Sequence, residues 1–120
     1  MTNNFGVVGI VETAPELRES ASGKVFCIFS LSVQPWAKGA VDRPATVLYK
    51  ITSFGSLAIH VGSTVKKRDR LVVIGDFEVE HWKAKDGSER TTNKILAEGI
   101  GLDMRFASPR RTREMSVAHT

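Results

Sequence analysis

The chain is predicted to be all-β: a small five-stranded Greek-key β-barrel with one short helix between strands 3 and 4. Three observations predict it. Apolar and polar residues alternate with period two along much of the chain, while helical spacing is scarce. Turn signals containing glycine, proline or aspartate separate the alternating runs. A single segment, GSLAIHV at 55–61, reads as a helix, short, with Ser56 near its start and Gly62 as a stop signal just past its end.

The first strand covers residues 4–12 (NFGVVGIVE), and its two glycines suggest a bulge or the close approach of another backbone. PELR at 15–18 resumes that strand briefly before Ser22 and Gly23 turn the chain. Residues 24–36 form the clearest strand. Val25, Cys27, Phe29, Leu31 and Val33 share one parity and make a core face, and Lys24, Phe26, Ile28, Ser30, Ser32, Gln34 and Trp36 share the other. Residues 37–44 (AKGAVDRP) read as a loop. In the third strand, 45–54, Val47, Tyr49 and Ile51 face one way and Leu48, Lys50, Thr52 and Phe54 the other. KKRDR at 66–70 leads into the fourth strand, 71–82. There Leu71, Val73, Phe77 and Val79 take the core parity, with Arg70, Asp76, Glu78, Glu80 and Trp82 opposite. A turn at 83–90 carrying Asp86 and Gly87 returns the chain into the fifth strand, 91–100. Five strands with a helix between the third and fourth are the element order of the OB-fold.

At 120 residues and 42% hydrophobic content the chain suits one domain, able to bury roughly two-thirds of its unfolded surface. The pattern stops after Phe106. We therefore expect an OB-fold domain at 1–106 and a basic tail at 107–120, disordered in isolation. No run approaches the ~20 apolar residues of a membrane span, and the N-terminus lacks the pattern of a secretory signal, so the expected location is cytoplasmic. The one cysteine, Cys27, lies in an alternating apolar run and reads as a small buried thiol. Net charge is +4, but four arginines and one glutamate from Arg105 onward supply +3 of it, which leaves residues 1–104 nearly neutral. A nucleic-acid surface must then be local.

Parity supplies such a surface. Trp36, Phe54 and Trp82 stand on the polar side of three separate strands. A flat ring on a wet face suits the bases of an unpaired strand, where stacking contributes roughly 1 to 3 kcal/mol per base whatever the sequence. Lys50, Lys83, Lys85 and Arg90 lie near those rings and are expected to hold phosphates, with salt-dependent affinity from counterion release. Leu48 and Phe26 are assigned to packing or an interface. Catalytic motifs are absent from the sequence: no nucleophile elbow, phosphate-binding loop or dinucleotide fingerprint occurs. His60, His81 and His119 are not spaced with Cys27 or the carboxylates as metal ligands. Asp76, Glu78 and Glu80 recur on one face, and a solvated face paired with Lys or Arg is favoured there over a divalent ion. No catalytic residue, metal or cofactor is expected.

Six stretches in order resemble the bacterial single-stranded DNA-binding proteins over residues 4–106: VVG, PELR with SG, CIFSLSV, SFGSLAIHV, KKRDRLVVIGDFEVEHW and DGSERTTNKILAEGI. The resemblance implies an OB-fold, usually a homotetramer, that wraps single-stranded DNA in replication, recombination and repair, without catalysis, in the cytoplasm with the nucleoid. It places Trp36, Phe54 and Trp82 at stacking positions, and Lys50 and Lys67 at basic contacts. Three departures follow. Leu48 stands where some members carry a further tryptophan, which reduces the grip of the third strand. Glu78 and Glu80 stand where the family is often basic or neutral, which predicts weaker binding. The end reads RRTREMSVAHT rather than an acidic tip, so recruitment of other proteins through an acidic tail is not expected. A paralogue with a narrower role fits these departures. Two other readings share the same residues: an OB-fold adaptor of the primosome-accessory kind, contacting mainly proteins, and an RNA-binding OB domain, which would show a preference at the sugar.

Overall fold

Alternating sequence becomes six strands and one helix in the structure, a computed structural model that describes residues 4–34 and 46–106. The elements are β1 (Asn4–Val11), β2 (Glu16–Glu19), β3 (Val25–Val33), β4 (Val47–Phe54), α1 (Gly55–Thr64), β5 (Arg70–Lys83) and β6 (Glu89–Leu102), with a 3-10 turn at Met104–Phe106. Trp36, the loop at 37–44 and the tail at 107–120 lie outside the described residues. The sheet runs β1-β5-β6-β4-β3-β2, and β1 also pairs with β3 through Ile10↔Ser32 and Val11↔Leu31, closing the ring. That closure is short, so the barrel is uneven. Among the described residues every pairing is antiparallel except β4 with β6.

The core follows from parity. On β3 the members Cys27, Phe29 and Leu31 are fully buried, with Val25 and Val33 packed at the margin. Their register continues the layer: Phe29 faces Ile51, Ile51 faces Ile95, and Ile95 faces Phe77. Helix α1 packs against β3 and β4, with Ala58 and Val61 buried. Burial raises the pKa of the Cys27 thiol, which matches a packing role and not a reactive one.

Two close approaches need glycine. A Cβ on Gly9 would run into the carbonyl of Ser32, where β1 crosses from β5 to β3, as the sequence suggested for this strand. A Cβ on Gly75 would run into the carbonyl of Leu96. Beside Gly75 the β5–β6 register slips: Ile74 pairs with Gly99 and Gly75 with Ala97, leaving Glu98 as an extra residue. This bulge flips the parity of β6, so that Ile95 and Ala97 are core residues before it and Ile100 packs on the core after it.

Three expectations are corrected. PELR does not resume β1; most of it forms the separate edge strand β2, paired with β3 from Glu16↔Ile28 to Glu19↔Val25. The helix does not stop at Gly62 but continues to Thr64 before Val65 turns extended, and the open side of Gly62 receives Leu17 of β2. A glycine inside a helix costs about 1 kcal/mol, which packing readily offsets. Val79 has the core parity but is exposed among the described residues, because β5 and β6 run on past β4 as a two-stranded arm with no described strand beneath it.

One end of the barrel is fixed by two buried carboxylates. Lys66 N–H donates to Asp69 Oδ2 at 2.9 Å, and Arg105 N–H donates to Asp103 Oδ1 at 3.0 Å. That backbone bond, with help from the Arg105 side chain, lowers the pKa of the Asp103 carboxyl.

Candidate nucleic-acid interface

Residues facing each other across paired strands share a side of the sheet, so the register arranges the outward side chains in rows. One row runs Glu16, Ile28, Thr52, Leu96, Asp76 across β2, β3, β4, β6 and β5. The next runs Ser30, Lys50, Lys94, Glu78. On one flank lie Arg18, Phe26 and Phe54; on the other, Glu80 opposite Thr92, then Trp82 opposite Arg90. Phe54 and Trp82 therefore occupy the same face at its two ends. Four steps of two residues separate them by roughly 25 Å along the strands.

Both rings are open to solvent and both are held in place. Phe54 is 39% exposed, with the Phe26 ring 6.2 Å away at 44° and the Lys24 Nζ 4.5 Å from its centroid. A cation over an exposed ring contributes about 0.5 to 1 kcal/mol. Trp82 is 45% exposed, and its Nε1–H donates to Thr92 Oγ1 at 2.9 Å, which fixes the plane of the indole on the arm. Leu48, assigned to packing or an interface from the sequence, lies on this outward face, 57% exposed.

Charges of both signs stand on the face: Lys50 and Lys94 are neighbours on β4 and β6, and Asp76, Glu78 and Glu80 run along β5. Lys50 is exposed at the centre of the face and, among the described residues, has no ion-pair partner. Lys94 pairs with Glu80 at 3.6 Å. Arg90 reaches Asp86 at 3.9 Å, and Arg90 Nε–H donates to Ser88 Oγ at 3.3 Å. The Ser88 hydroxyl and N–H both donate to Asp86, and these bonds, the hydroxyl's first, lower the pKa of its carboxyl. Among the described residues no group of three or more His, Cys, Asp and Glu is placed to hold a metal ion.

The sequence-predicted residues are thus only partly brought together. Phe54, Lys50, Trp82 and Arg90 share the face, and Lys85 lies in the hairpin turn at its far end. Alternation puts Lys83 on the opposite side of β5 from Trp82. Lys67 sits in the turn between α1 and β5, tied to β1 by Arg68 N–H to Val11 O and Val11 N–H to Asp69 O, both 2.9 Å. The carboxylates and the tryptophan on the outward side of β5 start at Asp76, roughly 20 Å along the strand from Arg70. Two cations were missed. The parity of Lys94 against buried Ile95 and Ala97 could have identified it. Lys24 has no such signal, since its approach to Phe54 depends on the β3–β4 register.

Fold and face together define an OB-fold protein with an open sheet surface bearing separated aromatic rings and lysines. The sequence model of the single-strand binding protein family matches residues 2–106, and the chain belongs to that family. A single-stranded DNA-binding protein of Bifidobacterium longum is 27% identical over 92% of this chain and 52% of its own length. One from Paenarthrobacter nicotinovorans is 25% identical over 89% of this chain and 65% of its own. The chain thus spans about half to two-thirds of the length of these relatives. Among solved structures, the small single-stranded DNA-binding protein from Streptomyces coelicolor superposes with a TM-score of 0.74 at 27% identity, covering 89% of this chain and 99% of that one.

Proposed function

We propose that this chain binds single-stranded DNA without catalysis, tolerant of sequence, and serves replication, recombination and repair by covering unpaired strands. The observation that carries the reading is the pairing of two exposed, fixed rings, Phe54 and Trp82, with Lys50 and Lys94 between them on one open face. Bases stack on the rings and phosphates follow the lysines. Family membership and the similarity to the Streptomyces coelicolor protein support it. The test is a titration of tryptophan fluorescence with a homopolymeric DNA oligomer. Quenching that weakens as salt is added is the expected result. Absence of quenching at low salt overturns the reading in favour of a protein-contacting adaptor, and a clear preference for a matched RNA oligomer overturns it in favour of RNA.

Lys50→Gln removes one phosphate contact from the middle of the path. The slope of log affinity against log salt is expected to flatten by about 0.7, the value of one contact to a single strand. Tm should stay unchanged, since the side chain is exposed.

The same reading includes self-association into a homotetramer. On the back of β1, β5 and β6, opposite the core, Val8, Val72 and Ile74 are exposed, with Ile74 at 48%. Gly6 and Gly99 flank Ile74 in register and add no side chain of their own. A flat apolar strip of this kind suits the approach of a second sheet. Ile74→Glu is expected to lower the molar mass measured by light scattering while leaving the far-UV spectrum intact. An unchanged mass places the subunit contacts elsewhere.

A further inference from the structure

A cleft of about 460 Å³ opens on the same face, lined among others by Thr52, Phe54, Asp76, Glu78, Lys94 and Leu96. Its size falls in the lower part of the range for sites that hold one small organic ligand. Phe54 and Leu96 give it an apolar side, and β5 gives it a polar one. The polar side is made of carboxylates, which accept hydrogen bonds and donate none. Lys94, the cation in the cleft, is drawn to Glu80, one alternate position further along β5. Among the described residues Glu78 has no ion-pair partner.

We infer that this cleft takes one nucleotide of the bound strand and reads the edge of its base, favouring bases with an exocyclic amino group over thymine. The inference rests on the single-stranded DNA reading and adds a specificity-determining residue, Glu78. A base laid against Phe54 and Leu96 turns its edge toward β5. Phosphates are repelled from that side by Glu78, whose charge no ion pair offsets among the described residues, so the backbone runs nearer Lys50 and the bases point inward. In an unpaired strand the Watson–Crick edge is free for recognition. Cytosine presents its N4 amino group, a donor that a carboxylate accepts. Thymine presents O4 and O2, and either one facing a carboxylate sets acceptor against acceptor. Thymine has only N3–H to donate, recessed between those two oxygens.

The full chain is titrated at one salt concentration with oligo-dC and oligo-dT of equal length. The two pyrimidines share one ring, thymine carrying an extra C5-methyl that an apolar cleft would favour, and oligo-dT has the weaker self-stacking, so a preference for dC must come from the polar side of the cleft. Binding to dC is expected to be about fivefold tighter, the lower end of the discrimination given by a good base contact. Glu78→Gln supplies both a donor and an acceptor, so the dC/dT ratio should fall close to one while both oligomers bind more tightly. Glu98→Gln removes the same charge from the exposed bulge outside the cleft, and the ratio should not move. A ratio at or below one in the unmodified chain overturns the inference and leaves single-strand binding standing. So does a ratio that Glu78→Gln does not change. Failure of both oligomers to bind at low salt overturns the underlying reading as well.

Discussion

Phe29→Ala is expected to destabilise the domain by about 3–5 kcal/mol, the range for truncating a buried aromatic ring. The ring is 1% exposed and belongs to the core row that continues through Ile51 and Ile95 to Phe77. Its strand is held on both sides, by β2 and β4, and again at one end by β1. The backbone therefore has little room to collapse into the space the ring leaves, which favours the upper part of the range. Native domains are stable by only about 5–15 kcal/mol, so this one change takes a large share. Urea denaturation followed by circular dichroism measures it: the midpoint should fall while the slope stays constant, since the surface exposed on unfolding is nearly unchanged. The fraction that remains folded should bind oligonucleotide as before, because Phe29 lies on the side of β3 away from the outward face. A loss below about 1 kcal/mol would mean that the ring does not fill the core.

The same residue shows why so much of the fold was legible. Five apolar residues at alternate positions from Val25 to Val33 admit one buried face, and a slip of one residue would expose all of them. The outward positions of Phe54 and Trp82 followed from that parity in their own strands. What parity cannot supply is the partner of each strand. PELR fits the end of β1 as well as an edge strand, and only the tertiary register of Leu17 opposite Cys27 decides for the second. Val79 fits the core pattern, but β4 stops pairing with β6 at Tyr49↔Asn93, so no described strand remains beneath it. The bulge at Glu98 is equally silent in sequence, because two patterns of correct parity are simply joined there.

The site obeys the same division. Residue types on single strands were readable, whereas their association across strands was not. Lys50 and Lys94 become neighbours only through the parallel β4–β6 pairing, the one pairing of that sense among the described residues. Lys67 looked equivalent to Lys50 in the resemblance, yet the turn that holds it packs against β1 at the far end of β5. Its contribution to affinity should accordingly be smaller than that of Lys50.

Trp82→Ala should weaken oligonucleotide binding by about 1 to 3 kcal/mol, between about fivefold and somewhat over a hundredfold in Kd, if the indole stacks on a base. The readout must come from the DNA, such as the anisotropy of a labelled oligomer, because the variant retains one of the two tryptophans of the chain. The ring lies on the arm beyond the core, so the cost to folding should stay within about 1 kcal/mol, as for other substitutions away from buried features. Separating stacking from mere positioning of the arm needs a second variant. Thr92→Val keeps the indole but removes the hydroxyl that accepts its Nε1–H. Freed to turn, the ring loses preorganisation and not its flat face, so Thr92→Val should cost distinctly less than Trp82→Ala, and Trp82→Phe should recover part of the loss. Equal losses for Thr92→Val and Trp82→Ala would mean that the arm is held by the hydrogen bond and that the ring itself touches no base. No loss for Trp82→Ala would leave Phe54 as the stacking ring of the described face, and the strand would then run across β2, β3 and β4 instead of out along the β5–β6 arm.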